Sequence, residues 1–504
     1  MTVTSGPGEP GPLTSAPLAS TLPDRLYSGI GGLDTLLCGG FVRNGIYIIH
    51  GAPGAGKTIL SNQICYAHAA AGGHALYVTL LSEQHDRLLA NLAQLAFCDQ
   101  SRIAREIHYV SAFQLLERDG LAGLLTLLRR EIMAHAAGIL VLDGLVAAEA
   151  YATTELELKK FIHELQMLAS AADCTMFLLT SAGHMDEASE QRPEHTMVDG
   201  MIALRETTYG WRMERDIHVR KFRGSDHLPG RHAMQITSAG IMVWPRTEAL
   251  PAASPAENTQ GDAPRLATGI AGLDQMLGGG LPAGSSTVVL GPTGAGKTSL
   301  ALNFLARSTP AEPGLMVSFY ESPDHLLARA SGFAPDLGPH VADGVIGFAW
   351  HGQAEGLIDR IAFELLADVR RRGVRRVVID GLLGFEGLAL PAERLPRFFL
   401  ALTGQLRAMG VTTLCTLEIQ QVPGTTHRAP VDSLTPIAEN LILLRHVERA
   451  GRLERNVSVM KLRGSAFDST LRAFEIGPGG IVLVTAFGAM DNFRQRSPGD
   501  TTGG

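Results

Sequence analysis

Cysteine is scarce. The 504 residues hold five (Cys38, Cys65, Cys98, Cys174 and Cys415), with no CxxC pair and no His/Cys ligand spacing. A disulfide scaffold is excluded, and buried free thiols in a reducing cytoplasm are expected. The 17 histidines make no HxxxH-type metal cluster. No apolar run reaches the roughly 18 residues that a membrane helix needs. Residues 1–23 are rich in Pro, Gly, Ser and Thr but lack a basic start and an apolar core. They read as a disordered tail and not as a signal peptide, so a cytoplasmic location is expected. Excess positive charge is also missing: 43 basic against 50 acidic residues leave −7. No global field therefore recruits nucleic acid or anionic lipid. With 45% apolar residues, a globular chain of two to four domains is expected.

What the chain does have is a repeat. SGIGGLD (28–34) returns as TGIAGLD (268–274), GAPGAGKT (51–58) as GPTGAGKT (291–298), and KFRGS (221–225) as KLRGS (461–465). All three recur at one offset of 240 residues, far longer than a solenoid repeat, so a domain has been duplicated. The boundary falls in the Pro/Ala-rich stretch 246–264. The expected organisation is a first domain at 24–247, a linker at 248–263, a second domain at 264–487 and a disordered tail at 488–504.

Within each repeat, short apolar runs alternate with longer amphipathic stretches. The first has GIYIIHG (45–51), ALYVTLL (75–81), GILVLDG (138–144), CTMFLLTS (174–181) and DGMIALR (199–205). The second has SSTVVLG (285–291), GLMVSFY (314–320), RRVVIDG (375–381), VTTLCTL (411–417) and ENLILLR (439–445). Such runs mark strands buried on both faces of a parallel sheet. The fold class is α/β, two tandem RecA-like P-loop domains, with a late antiparallel portion carrying KFRGS and KLRGS.

GxxxxGK[ST] after a strand and opening a helix is a phosphate cradle. Its glycines let backbone N–H groups face the phosphates at a helix N-terminus. Gly51, Gly54, Ala55, Gly56, Lys57 and Thr58 form one copy; Gly291, Gly294, Ala295, Gly296, Lys297 and Thr298 form the other. The lysines reach the β/γ-phosphates of ATP, and Thr58 and Thr298 offer hydroxyls to Mg²⁺. Asp143 and Asp380 each end a buried strand and complete the metal site. Glu83 and Glu321 follow the second apolar strand and are the candidates to orient or deprotonate the attacking water.

In these motifs the chain resembles the KaiC family, the tandem ATPases of the cyanobacterial clock, over roughly residues 24–247 and 264–486. The resemblance implies a double-ring homohexamer with ATP between subunits. It implies that Lys221 and Arg223 in the first ring, and Lys461 and Arg463 in the second, reach the neighbour's γ-phosphate. A signalling or timing output through a partner protein is also implied. There are three departures. Two adjacent glutamates of the family are replaced by Ser82-Glu83 and Tyr320-Glu321. The Ser-Thr pair that the clock protein phosphorylates falls on Thr435-Pro436, leaving Thr435, with Ser433 nearby, as acceptors. The tail FGAMDNFRQRSPGDTTGG has no counterpart to the family's partner-binding segment.

Two rival readings stay open. A RecA-like DNA-processing ATPase would need basic or stacking residues after the late strands. Residues 182–197 instead carry Asp186, Glu187, Glu190 and Glu194 against Arg192, and 420–433 hold one arginine and no aromatic. The basic VRRRGVRR (369–376) reads as a helix C-terminus with its glycine stop. The other rival is a scaffold that binds ATP to assemble but hardly turns it over.

Overall fold

The computed structural model describes residues 24–81, 85–181, 196–251, 264–352, 356–388, 392–419, 438–449, 451–478 and 480–484. Two compact units emerge. One holds the residues up to 205 with 219–227 and 236–242; the other holds 206–218, 228–235 and the chain from 243 onward.

In the first repeat β1 (Arg25–Leu26) and β2 (Phe41–Val42) make a short antiparallel ladder. There follow β3 (Ile46–Gly51), β4 (Ala75–Thr79), β5 (Ile107–Ser111), β6 (Ile139–Asp143), β7 (Thr175–Thr180), β8 (Gly200–Tyr209), β9 (Arg212–Phe222), β10 (Arg231–Thr237) and β11 (Gly240–Trp244). These nine form one sheet in the order β11-β10-β9-β8-β3-β7-β6-β4-β5. The stretch from β8 to β5 is parallel, and β9 and β10 pair antiparallel.

The second repeat has the ladder β12 (Arg265–Leu266) and β13 (Leu281–Pro282). It continues with β14 (Ser286–Gly291), β15 (Gly314–Ser318), β16 (Ile346–Trp350), β17 (Arg376–Asp380), β18 (Thr412–Glu418), β19 (Asn440–Arg449), β20 (Arg452–Leu462), β21 (Arg472–Gly477) and β22 (Gly480–Leu483). The sheet order, β16-β15-β17-β18-β14-β19-β20-β21-β22, is that of the first repeat read from the other edge.

Why the apolar runs become central strands is visible in their packing. On β14, Val288 and Leu290 enter one core while Val289 enters the other; on β15, Leu315 and Val317 oppose Met316; on β17, Val377 and Ile379 oppose Val378. A period of two with both sets buried is possible only where helices cover both faces. All five expected strands of each repeat are present, and the late pair β19–β20 is antiparallel as expected. The edge strands β5 and β16 went unread because IHYVS and IGFAW are half-buried and carry His or Gly, not a β-branched run.

Helix ends follow local chemistry. Thr154 accepts from the N–H of Glu157, whose carboxylate accepts from the N–H of Thr153, a capping arrangement that starts the helix Glu155–Ala171. The basic VRRRG run ends the helix Ile358–Arg372 at Gly373, whose φ of +62° is the left-handed stop expected there. Among the described residues no helix is long and apolar enough to cross a membrane.

All five cysteines are free, and Cys65, Cys174 and Cys415 are buried as expected. Cys98 is only half-buried, and Cys38 departs fully: it is exposed in a turn with φ of +52°. The stretch expected to be linker opens as an anchored turn at Thr247–Ala249. There Glu248 accepts two hydrogen bonds of 2.6 Å from Arg394. Residues 252–263 and both expected tails, 1–23 and 488–504, lie outside the described residues.

Candidate nucleotide site

Each P-loop joins the end of a central strand to a helix: β3 to Lys57–Ala70, and β14 to Lys297–Ala306. The residue before each helix is a glycine in the left-handed region, Gly56 at φ of +101° and Gly296 at +98°. A Cβ on Gly56 would stand 2.9 Å from Ile236 Cδ1, and one on Gly296 3.0 Å from Ile476 Cδ1. The left-handed conformation calls for glycine, and the isoleucine methyls leave a Cβ little room; glycine leaves the backbone amides uncovered for an anion. Ala55 and Ala295 are buried beneath the loops.

Lys57 Nζ donates to the carbonyls of Gly51 (2.7 Å) and Ala52 (3.0 Å). Lys297 Nζ repeats this at Gly291 and Pro292, both at 2.9 Å. Burial lowers both ammonium pKa values, partly offset by Asp143 at the first site and by Glu418 and Asp380 at the second.

The hydroxyl of Thr58 lies 3.3 Å from Asp143 Oδ2, and that of Thr298 lies 3.1 Å and 3.2 Å from the two oxygens of Asp380. A hydroxyl and a carboxylate this close, at the mouth of a phosphate cradle, suit Mg²⁺, which keeps several waters and takes few protein ligands. Among the described residues no group of three or more His, Cys, Asp or Glu could hold a metal. The supports differ between domains. Tyr77 donates to Asp143 Oδ2 at 2.6 Å, whereas Thr416 donates to Asp380 Oδ1 at 2.6 Å. Burial raises the pKa of Asp380, and the bonds from Thr416 and Thr298 oppose this.

The candidate water-activating acids differ in their spacing along the chain from the paired strand residues. Thr79 is level with Asp143, and Ser318 with Asp380. Counted along the chain, Glu321 is the third residue past its level and Glu83 the fourth. Glu321 is ion-paired with Arg329 at 2.8 Å. Glu83, Ser433 and Thr435 lie outside the described residues, as do residues 420–433 and most of 182–197.

The K-x-R-G-S motifs sit at the far end of the sheet from the P-loop of the same domain. Lys461 is level with Leu441 and hence with Val288, near the start of β14, while the P-loop follows the end of that strand. Lys221 and Arg223 both donate to Thr196 O at 3.0 Å, and Lys461 donates to Ala438 O at 2.7 Å. The serine of each motif has a job that motif reading missed. Ser225 accepts from Arg25 at 2.7 Å and Ser465 from Arg265 at 2.6 Å, tying each turn to the domain's opening strand. The clue was present, since Arg25 and Arg265 obey the same 240-residue offset. Asp34 and Asp274, which recur in the two opening motifs, accept from the N–H of Ser28 and Thr268, a structural clasp.

Comparison with known proteins agrees with this geometry. The family model described as "ATPase: KaiC" matches twice, at residues 26–248 and 266–486. The circadian clock oscillator protein KaiC of Picosynechococcus is 25% identical over 491 residues, covering 94% of this chain and 92% of that one. Its counterpart in Synechococcus elongatus is 24% identical over 494 residues, with coverage of 94% and 92%. The circadian clock protein KaiC3 of Synechocystis is 24% identical over 480 residues, covering 92% of each. With two P-loops, two strand-end aspartates and both halves matched, the chain belongs to the KaiC family of tandem P-loop ATPases.

Proposed function

We propose that the protein hydrolyses Mg-ATP as a double-ring homohexamer, each nucleotide lying between one subunit's P-loop and its neighbour's K-x-R-G-S turn. One observation carries this reading. From Thr287, level with Asn440 and Leu462, to Gly291 at the head of the P-loop is four residues of strand, about 13 Å. Arg463 lies beyond Leu462, further still from its own loop. Cations so placed serve a phosphate only on another subunit.

At such an interface Lys57 and Lys297 neutralise the β/γ-phosphates. Lys221, Arg223, Lys461 and Arg463 supply charge in trans to the transferring phosphoryl group. Thr58 with Asp143, and Thr298 with Asp380, are the residues that would hold Mg²⁺, which supplies Lewis-acid charge to the terminal phosphate. Glu321 orients the water in the second domain once it leaves Arg329, and Glu83 is the candidate in the first. The reading extends to phosphoryl transfer onto Thr435 or Ser433, and to a signalling or timing output through a partner protein.

The test mixes two inactive proteins. One carries Lys57→Ala and Lys297→Ala; the other carries Arg223→Ala and Arg463→Ala. Mixing restores phosphate release if the cations act in trans, because interfaces with an intact loop and an intact arginine then form. No restoration, with hexamers present by light scattering, refutes the reading. Phosphorylation on the same samples, read by mass spectrometry, tests the acceptor residues. ATP-dependent hexamers of the wild type without turnover would favour the scaffold.

A further inference from the structure

Glu418 closes β18, the strand between the one that carries Asp380 and the one that leads into the second P-loop. Cys415 and Leu417 enter the core on one face of the sheet, and Leu414 enters the other, the core that contains the P-loop helix. Thr416 and Glu418 share Leu414's face by the two-residue period. Thr416 donates to Asp380, and Glu418 accepts a short hydrogen bond from the hydroxyl of Thr293 within the P-loop. One strand thus lays polar groups from the metal-site acid to the tip of the phosphate cradle. The charge of Glu418 also reaches Lys297, where after burial it is the largest influence on the ammonium, ahead of Asp380.

Neither half of this pair exists in the first domain. The loop position of Thr293 is Pro53, which has no hydroxyl. The register Gly291↔Glu418 corresponds to His50↔Thr180 carried one residue further, where Ser181 stands. The two cradles match in backbone and differ by one carboxylate at the loop.

We propose that Glu418 is a specificity residue that biases the second site against the terminal phosphate of ATP and toward ADP, a bias the first site lacks. This rests on the second domain binding Mg-nucleotide as proposed above. The chemistry is competition between acceptors. A carboxylate and a phosphate oxygen both need donors, and Thr293 has one proton to give. Both also draw on the positive charge of Lys297, the P-loop lysine that serves the β/γ-phosphates. Two anions beside one ammonium repel, and the repulsion is largest for the nucleotide whose chain extends furthest. ADP, ending at the β-phosphate, escapes most of it.

The experiment measures equilibrium binding of Mg-ADP and of a Mg-bound non-hydrolysable imido analogue of ATP. The full chain is used, with Lys57→Ala silencing the first site. Glu418→Gln removes the charge at constant shape, and Glu418→Ser installs the residue of the first domain as a second variant. Both are expected to tighten the analogue about tenfold and ADP by less than about threefold. No change, or equal change for the two nucleotides, overturns the proposal. Unchanged affinities with phosphate release abolished also overturn it, by making Glu418 a general base. Failure of the Lys57→Ala parent to bind either nucleotide would instead sink the reading of the second domain as a nucleotide site, and this inference with it.

Discussion

Replacing Arg394 with methionine should unfold the second unit far more easily than any comparable surface change. Arg394 is mostly buried and bonds to both oxygens of Glu248 at 2.6 Å and to Asp359 Oδ1 at 2.7 Å. Asp359 is 2% exposed and also accepts from Thr247, through its N–H at 3.0 Å and its hydroxyl at 3.1 Å. Methionine fills the volume but leaves two carboxylates facing each other with their cation gone. Breaking a buried ion pair on one side costs about 3–5 kcal/mol, because the surviving charge is desolvated without compensation. All three tryptophans, Trp211, Trp244 and Trp350, belong to the second unit, so their fluorescence in a urea titration reports its unfolding. At about 1–3 kcal/mol per molar urea, the midpoint should fall by more than 1 M. The charge-free combination Arg394→Met, Glu248→Gln and Asp359→Asn should recover much of the loss. A shift under about 1 kcal/mol for Arg394→Met would refute the reasoning, since the carboxylates would then be hydrated. Equal destabilisation in the triple variant would show that shape, not charge, holds the turn.

Acid should weaken the protein through His232, which is 1% exposed, donates from Nε2 to Leu228 O at 3.1 Å and accepts from the N–H of Arg246 at 2.9 Å. Burial, with the Leu228 bond opposing it, pushes its pKa down to about 4, below the 6.5 of an unfolded histidine. Its contribution is present in full above pH 6.5 and is lost as pH falls through 4, amounting to about 3 kcal/mol. Thermal unfolding of the wild type between pH 7.5 and 4.5 should therefore fall more steeply than that of His232→Gln; parallel curves would refute the assignment. Gly296→Ala forces a side chain into φ of +98° and against Ile476, so it should cost about 1–2 kcal/mol and weaken nucleotide binding. Denaturation and ATP-analogue titration check this, and wild-type values in both would show that the loop needs no glycine there.

The glycine loop was legible because its parts are contiguous: glycine turn, lysine and hydroxyl occupy eight residues between a strand and a helix. The duplication made it firmer, since each weak sign, such as an aspartate ending an apolar run, appeared twice at matching places. The acids following β4 and β15 were less legible. Apolar runs that extend past the last paired residue hide where the strand ends, and only the pairing of Thr79 with Asp143 and Ser318 with Asp380 exposes the one-residue difference.

By itself the chain's one-dimensional pattern determined the α/β class, the duplication, the central strands, the two glycine-rich strand-to-helix loops and the strand-end aspartates. These depend on local backbone chemistry and on a two-residue burial period, both of which are written along the chain. The tertiary structure alone decided which distant groups meet. Arg25 finds Ser225 across 200 residues, Arg394 finds Glu248 across 146, and Glu418 finds Thr293 across 125. It also decided that Lys461 and Arg463 lie at the end of the sheet away from their own P-loop. Such meetings are set by strand order and register, which sum many weak packing energies, and no single stretch of sequence carries that sum.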